Sequence, residues 1–111
     1  MAYIKNVEQE KVLALADQVQ VTPGQVVSRT LAQNEAVSIT VFAFSKDEEI
    51  GTHDSTGDAL VTVLDGTGRF VVDGKEYIVK KDESLVMPAK KPHSVHAVED
   101  FKMLLTVVFP R

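Results

Sequence analysis

From residue 25 onward, the sequence consists of short runs of β-branched, aromatic and other apolar residues separated by turn-forming residues. The runs that we predict to be strands are residues 25–31, 36–44, 60–64, 69–72, 76–79, 84–87, 94–98 and 101–109. Many short strands at this spacing are typical of an all-β sandwich or barrel. Because 111 residues suit one domain, we predict a single all-β domain over residues 1–111, with a barrel core at about 37–109.

The clearest turn in the sequence is Asp73-Gly74, which lies between the β-rich residues 70–72 and 75–78. Asp-Gly tolerates the positive φ angles of a type I′ turn, and the twist of that turn matches the twist of the flanking strands. The sequence therefore predicts a tight β-hairpin at this point.

The segment before residue 25 has a different pattern. Its apolar residues Val12, Leu15, Ala16 and Val19 recur at the spacing of one face of a helix. A Pro-Gly dipeptide at 23–24 then closes the region as a turn. We predict a short N-terminal helix.

Two of the predicted strands, residues 36–44 and 101–109, are apolar on both faces. Val37, Ile39, Val41 and Ala43 alternate with Phe42 and Phe44 in the first, and Met103, Leu105, Val107 and Phe109 alternate with Leu104 and Val108 in the second. A strand with water on one face alternates apolar and polar residues, so both faces here need cover. We predict a homodimer, since large exposed apolar patches usually mark an interface. The alternative is a monomer in which the N-terminal segment covers the whole face.

Composition excludes several classes of function. The net charge is −4 and no run of Lys or Arg is present, so we expect no nucleic-acid partner. The absence of cysteine excludes disulfides, thiolate zinc sites and cysteine nucleophiles. No apolar stretch approaches a membrane-spanning length, so we expect no membrane partner and a cytoplasmic location.

The middle of the chain resembles the cupin family. The first cupin motif runs from a glycine, through two histidines spaced by one residue, to a glutamate and a second glycine. Residues 51–66 follow this pattern, with His53 at the place of the first histidine. Ser55 occupies the place of the second histidine and Ala59 that of the glutamate.

The second cupin motif is similar to residues 82–97, in which Pro88 and His93 match the family and Ala97 replaces its terminal asparagine. The resemblance extends over residues 37–109. It implies a cupin double-stranded β-helix, the jelly-roll barrel, and it points to a group of short bacterial cupins with degenerate metal-binding motifs. Similar small cupins form dimers by packing their sheets and exchanging N-terminal strands, which the resemblance implies for residues 25–31.

The resemblance also raises the question of a metal ion. The full cupin site uses three histidines and one glutamate to hold iron, manganese, nickel or zinc. Strand parity directs His53 and His93 into the barrel and His96 out of it. Two histidines make a weak site, because metal ions normally take at least three protein ligands. Asp58 is a candidate third ligand, although it lies one residue away from the expected position.

Two hypotheses of function follow. In the first, the protein is a small-molecule-binding module whose pocket lies at the barrel mouth and contains no complete metal site. The residues expected to line that pocket are His53, Ser55, Val61, Val63, His93 and Val95. In the second, it is a metal-dependent oxygenase or isomerase in which His53 and His93 hold one divalent ion, with Asp58 or water completing the shell. We expect Lys90 and Lys91 to solvate the turn; the alternative is that they attract an anionic ligand to the barrel mouth.

Overall fold

The computed structural model describes residues 2–110, which form nine strands in two antiparallel sheets. Met1 and Arg111, the ends of the predicted domain, lie outside the described residues. The strands are β1 (Val26–Gln33), β2 (Val37–Phe44), β3 (Glu49–His53), β4 (Asp58–Asp65), β5 (Thr67–Val72), β6 (Lys75–Lys80), β7 (Ser84–Met87), β8 (His93–Ala97) and β9 (Phe101–Val108). The five-stranded sheet has the order β1-β2-β9-β4-β7 and the four-stranded sheet the order β3-β8-β5-β6. The predicted all-β double-sheet architecture is confirmed.

One strand, β3, was not predicted. It contains a single large apolar residue, Ile50, and it lies at the edge of the four-stranded sheet, where it pairs only with β8. An edge strand with one side in solvent needs no apolar alternation, so periodicity alone gives no signal for it.

The N-terminal helix is much shorter than predicted. Among residues 2–110, only Leu15–Gln18 are helical, in a single 3-10 turn, and the residues that flank the turn have extended backbone. Val12, placed on the apolar face of the predicted helix, is 99% exposed. A short helix is marginal in water without packing, and the extended backbone instead places Val19 and Val21 along the five-stranded sheet. No helix among the described residues is long and apolar enough to cross a membrane.

The main core lies between the two sheets. Three aromatic rings meet there: Phe44 and Phe101 stack with centroids 4.6 Å apart, and Phe70 meets Phe101 edge to face at 6.3 Å. Val61 and Val63 of β4 are completely buried in the same cluster. Side chains therefore fill the interior of the barrel below its mouth.

A second apolar cluster lies on the outer face of the five-stranded sheet. Val41 and Ala43 of β2 are completely buried there under the N-terminal segment, whose Val19 packs against them. The ammonium group of Lys102 donates a hydrogen bond to the carbonyl oxygen of Ala16 at 2.6 Å, which ties the segment to β9. β2 thus buries side chains on both of its faces, as the sequence predicts.

The predicted hairpin is present between β5 and β6. Asp73 and Gly74 have φ angles of 50° and 81°, and Val72 pairs directly with Lys75 across the two-residue turn. Positive φ at both central residues is the signature of the type I′ turn.

Candidate functional site

Two histidines meet at one end of the four-stranded sheet. His53 is the last residue of β3 and His93 the first residue of β8, and the two are paired in register. Their ring centroids are 4.3 Å apart and the ring planes are inclined by 69°. The structure therefore brings together the two residues that the sequence selects as candidate ligands.

A β-bulge in β3 sets the direction of the His53 side chain. Ile50 pairs with Val95 and His53 with His93, so β3 advances by three residues where β8 advances by two. Ile50 packs against the core, and strict alternation from it would turn His53 outward. The extra residue reverses the direction of the strand's side chains, which places both imidazoles on the inner side.

Backbone hydrogen bonds orient both rings in the same way. His53 Nδ1 lies 2.8 Å from the carbonyl oxygen of Gly51, and His93 Nδ1 lies 3.1 Å from that of Lys91. A carbonyl oxygen only accepts, so each Nδ1 carries the hydrogen and donates it. The other nitrogen of a neutral imidazole, Nε2, is then an acceptor. Each ring therefore has an Nε2 lone pair that can accept a hydrogen bond.

The environment of His93 favours its neutral form. His93 is only 5% exposed, and burial lowers its pKa below the usual 6.5. The hydrogen bond to the Lys91 carbonyl opposes this shift, the neighbouring His53 adds to it, and the charge of Asp54 opposes it. The pKa of His93 is lowered overall, so its Nε2 remains a hydrogen-bond acceptor near neutral pH.

Ser55 and Asp58 stabilise loops around the site. The Ser55 hydroxyl accepts a hydrogen bond from the amide of Gly57 at 3.2 Å. Asp58 Oδ1 accepts one from the amide of Ala89 at 2.8 Å, and the Asp58 side chain is exposed while its neighbour Ala59 is buried. Residues 2–110 contain no group of three His, Cys, Asp or Glu side chains placed to hold a metal ion.

The remaining predicted pocket residues lie in the packed core. Val61 and Val63 have no exposure and Val95 is 3% exposed. His96 lies on the outer face of the same sheet, where its ring nitrogens are 3.4 Å from Asp47 Oδ1 and 3.7 Å from Glu49 Oε1. Its outward direction agrees with strand parity.

A cleft lined by residues of β6 and β7 was not found from the sequence. Its volume is about 260 Å³. Its apolar lining residues are Val72, Tyr77, Leu85, Val86 and Pro88, and its polar ones are Asp73 and Lys91. Val72 is the register partner of His93, but neither histidine lines the cleft. Hairpin alternation places Tyr77 on the inner face, but only the packing of the two sheets brings Leu85 near it.

Comparison with known proteins identifies the family. The sequence model of the cupin domain matches residues 40–109. The chain is a cupin. Among solved structures, a conserved Streptococcus pyogenes protein of unknown function is 47% identical, with a TM-score of 0.98, over 100% of this cupin and 97% of that protein.

Two further cupins with solved structures are similar. A cupin superfamily protein from Desulfitobacterium hafniense is 31% identical, with a TM-score of 0.93, over 98% of this chain and 100% of that one. A cupin 2 conserved barrel domain protein from Leptotrichia buccalis is 48% identical, with a TM-score of 0.82, over 84% of this chain but only 45% of that protein. No curated protein matches the sequence.

The donor set of this cupin does not fit a metal centre with three histidines and a glutamate. Ala59, at the glutamate's place, has no donor atom and is buried. The hydroxyl of Ser55, at the place of the second histidine, is already in a hydrogen bond within its own loop. Two imidazole nitrogens remain, which is fewer than the three protein ligands that metal ions normally take.

Proposed function

We propose that this cupin is a small-molecule-binding module whose ligand contacts His53 and His93 at the barrel mouth. The observation that carries the proposal is the orientation of the two rings. Because both Nδ1 atoms donate to backbone carbonyls, both Nε2 atoms are acceptors, and they belong to rings whose centroids are 4.3 Å apart. A sugar-like or other small polar molecule with hydroxyl groups would satisfy them.

The surroundings of the pair support binding of a small molecule. Ligand pockets are mostly apolar and contain a few oriented polar groups. Here His93 is buried on the same face of β8 as the core residue Val95, whereas His53 is exposed. Burial of His93 strengthens its hydrogen bonds, since water competes less in a low-dielectric environment.

The second candidate function is a metal-dependent oxygenase or isomerase. Metal-ligating histidines commonly donate their other ring N–H to a carbonyl, as His53 and His93 do. The ion would need a third ligand from water or from Asp58, whose Oδ1 already accepts the Ala89 amide. The number of donors therefore favours the binding module.

Metal analysis distinguishes the two functions. The chain is purified without an affinity tag, and the metal content of the wild type is compared with that of the double variant His53→Ala, His93→Ala. His96→Ala, which removes the histidine on the outer face, is the matched control. We expect metal far below one equivalent in all three proteins. Near-stoichiometric iron, manganese, nickel or zinc that is lost only from the double variant would overturn the binding module in favour of the enzyme.

A ligand screen tests binding directly. A library of small polar molecules that includes sugars is added to isotope-labelled protein, and the imidazole NMR signals are followed. We expect a binder to shift the signals of His53 and His93 and to leave those of His96 unchanged. A library in which every binder acts elsewhere on the surface would contradict the proposed site.

We also propose that this cupin forms a homodimer through the outer face of its five-stranded sheet. The N-terminal segment covers that face over β2 and its neighbours, whereas Leu60, Val86 and Val108 are 41%, 55% and 59% exposed. Leu60 and Val86 are register partners, so their side chains are adjacent. Exposed apolar patches of this kind are typical of interfaces, and a twofold pair is the commonest soluble assembly.

A further inference from the structure

The cleft between β6 and β7 lies at the edge of the proposed dimer interface. Leu85, which packs against the core, and Val86, which is exposed beside Leu60 on the outer face, both line it. The volume of the cleft is about 260 Å³, and a cavity of roughly 150 Å³ is enough for a benzene ring. The cleft is therefore an apolar recess with room for an aromatic side chain.

A large exposed aromatic side chain lies at the opposite edge of the same sheet. Tyr3 is 90% exposed, although hydrogen bonds fix the N-terminal segment that carries it. The amide of Lys5 donates to the carbonyl oxygen of Leu31 at 2.8 Å, and the side-chain amide of Asn6 donates to that of Thr30 at 2.7 Å. Tyr3 is therefore held beside β1, the edge strand farthest from β7.

Tyr3 is too far from the cleft of its own chain to enter it. Three strands separate β1 from β7, and neighbouring strands lie about 4.8 Å apart, so the two edges are roughly 19 Å from each other. Two extended residues, from Lys5 back to Tyr3, span only about 7 Å, and the side chain adds a similar length. If a tyrosine of this protein fills the cleft, it belongs to a second copy.

The pairing register places the anchor of the N-terminal segment at the level of the cleft. Leu31, which accepts the bond from that segment, is the bulged residue between Thr30 and Ala32. From these two neighbours the register crosses the sheet in two rows that end in the cleft at Leu85 and Val86. The rows are Thr30, Thr40, Leu105, Val61 and Leu85, and Ala32, Ile39, Thr106, Leu60 and Val86.

Twofold symmetry makes this arrangement self-complementary. When two copies pack the outer faces of their five-stranded sheets around an axis parallel to the strands, each row faces the same row of the other copy. β1 of one copy then lies over β7 of the other, so both tyrosines lie over a cleft at once and the pair is closed. The N-terminal segment also thickens the β1 half of that face and leaves the β7 half uncovered, so the two halves fit each other.

The number of residues that a stable interface needs supports this pairing. A standard interface takes about 20–30 residues from each side. The outer face exposes the large apolar side chains Leu60, Val86 and Val108. The N-terminal segment adds the exposed side chains Tyr3, Ile4 and Val12. Interfaces depend most on a few aromatic anchors in pockets, and a tyrosine hydroxyl in this cleft has the carboxylate of Asp73 among the lining groups as an acceptor.

We infer that Tyr3 of each copy fills the cleft between β6 and β7 of the other copy in a closed homodimer. This inference rests on the proposed homodimer, to which it adds the anchoring side chain, its pocket and the direction of the twofold axis.

Sedimentation equilibrium of single variants measures the two halves of the contact. Tyr3→Ala removes the anchor and should weaken dimerisation about tenfold or more, whereas Tyr3→Phe keeps the ring and should weaken it about threefold or less. Leu85→Trp fills the cleft and should weaken dimerisation about tenfold or more. If that variant does not fold, Val86→Arg at the exposed rim of the cleft replaces it. Ile78→Ala, which removes an exposed apolar side chain from the other sheet, is the matched control and should dimerise like wild type.

Mixing two variants tests whether the two halves meet each other. Tyr3→Ala keeps an open cleft and Leu85→Trp keeps the tyrosine, so a mixed pair has one intact contact and a pair of either variant alone has none. We expect the equimolar mixture to dimerise about threefold or more tightly than either variant alone. Mixing would not rescue a residue that acts only in the folding of its own chain.

The outcomes separate this inference from the proposals on which it builds. A wild type with the mass of one chain would overturn the homodimer and this inference together. A wild-type dimer that Tyr3→Ala does not weaken, or a mixture no tighter than the separate variants, would overturn the tyrosine contact and leave the homodimer in place. Binding of a small molecule at His53 and His93 is measured by their own NMR signals and does not depend on either result.

Discussion

The outer faces of the two sheets carry opposite chemistry. On the five-stranded sheet, Val41 and Leu104 pack under the N-terminal segment, and Leu60 and Val86 continue the apolar surface beyond it. The four-stranded sheet carries charged groups on its outer face. Its ion pairs there are Arg69 with Glu76 at 3.4 Å, and His96 with Asp47 at 3.4 Å and Glu49 at 3.7 Å.

This difference shows which outer face must be covered by other residues for the fold to be stable. Exposed ion pairs contribute little to stability, so the four-stranded sheet is stabilised mainly by its inner face. The five-stranded sheet is stabilised from both sides, because β2 and β9 contribute to the core and to the cluster under the N-terminal segment. Equivalent substitutions on the two outer faces should therefore have very different effects.

The largest expected difference comes from a carboxylate placed on each outer face. Val41→Asp places a carboxylate at a position with no exposure, where it loses its hydration although Arg29 is its register partner, and it should lower the free energy of unfolding by roughly 3 kcal/mol or more. Ile78→Asp places the same charge opposite Arg69, its register partner, and should change stability by less than about 1 kcal/mol. Urea titration measures both. Similar losses in the two variants would show that the N-terminal segment does not seal its face.

The sequence predicts the features of this molecule that are set by residues close together in the chain. It does not predict those that are set by contacts between distant segments. Alternation along β4 correctly places Ala59, Val61 and Val63 inside, and Asp-Gly correctly places the hairpin. Helical spacing near Val12 was misleading, because contact with the sheet stabilises extended backbone there instead.

The same rule holds for the candidate site. The spacing of the two cupin motifs selects His53 and His93, which the structure brings together. The bulge before His53 depends on pairing between β3 and β8, which are far apart in the sequence. The cleft is lined by residues of strands from different sheets, such as Tyr77 and Leu85, so alternation along one strand does not predict it.

The second prediction concerns the uncovered part of the apolar face. Sedimentation equilibrium at micromolar concentration should give the mass of two chains for the wild type. The double variant Leu60→Lys, Val86→Lys places two charges in the proposed interface and should give the mass of one chain. Phe44 does not suit this test, because it is buried between the sheets and its replacement would unfold the chain.

The control for the dimer is Ile78→Lys on the outer face of the four-stranded sheet, which should keep the wild-type mass. A wild-type mass of one chain at these concentrations would end the dimer proposal. A charged Leu60, Val86 variant that is still a dimer would place the interface elsewhere.

The smallest expected effect is the pH dependence of stability that His93 contributes from the inner face of β8. His96, on the outer face of the same strand, provides the comparison. Burial lowers the pKa of His93 below its usual 6.5, whereas the unfolded chain leaves His93 in water with an ordinary pKa. Between these two pKa values the unfolded state binds a proton that the folded state does not. Stability should therefore fall as the pH drops below about 6.5, and His93 should add no pH dependence above that value.

Urea titrations of wild type, His93→Gln and His96→Gln at about pH 7.5 and pH 5.5 isolate this contribution, because 6.5 lies between the two conditions. Other groups titrate over the same range, so the informative quantity is the loss of stability on acidification in each variant compared with wild type. His93→Gln should lose less stability than wild type, since it removes the group whose protonation favours unfolding. If His93→Gln and wild type lose the same amount, the imidazole of His93 is protonated as easily in the folded chain as in the unfolded one. The surroundings of His93 would then be more hydrated than its burial indicates.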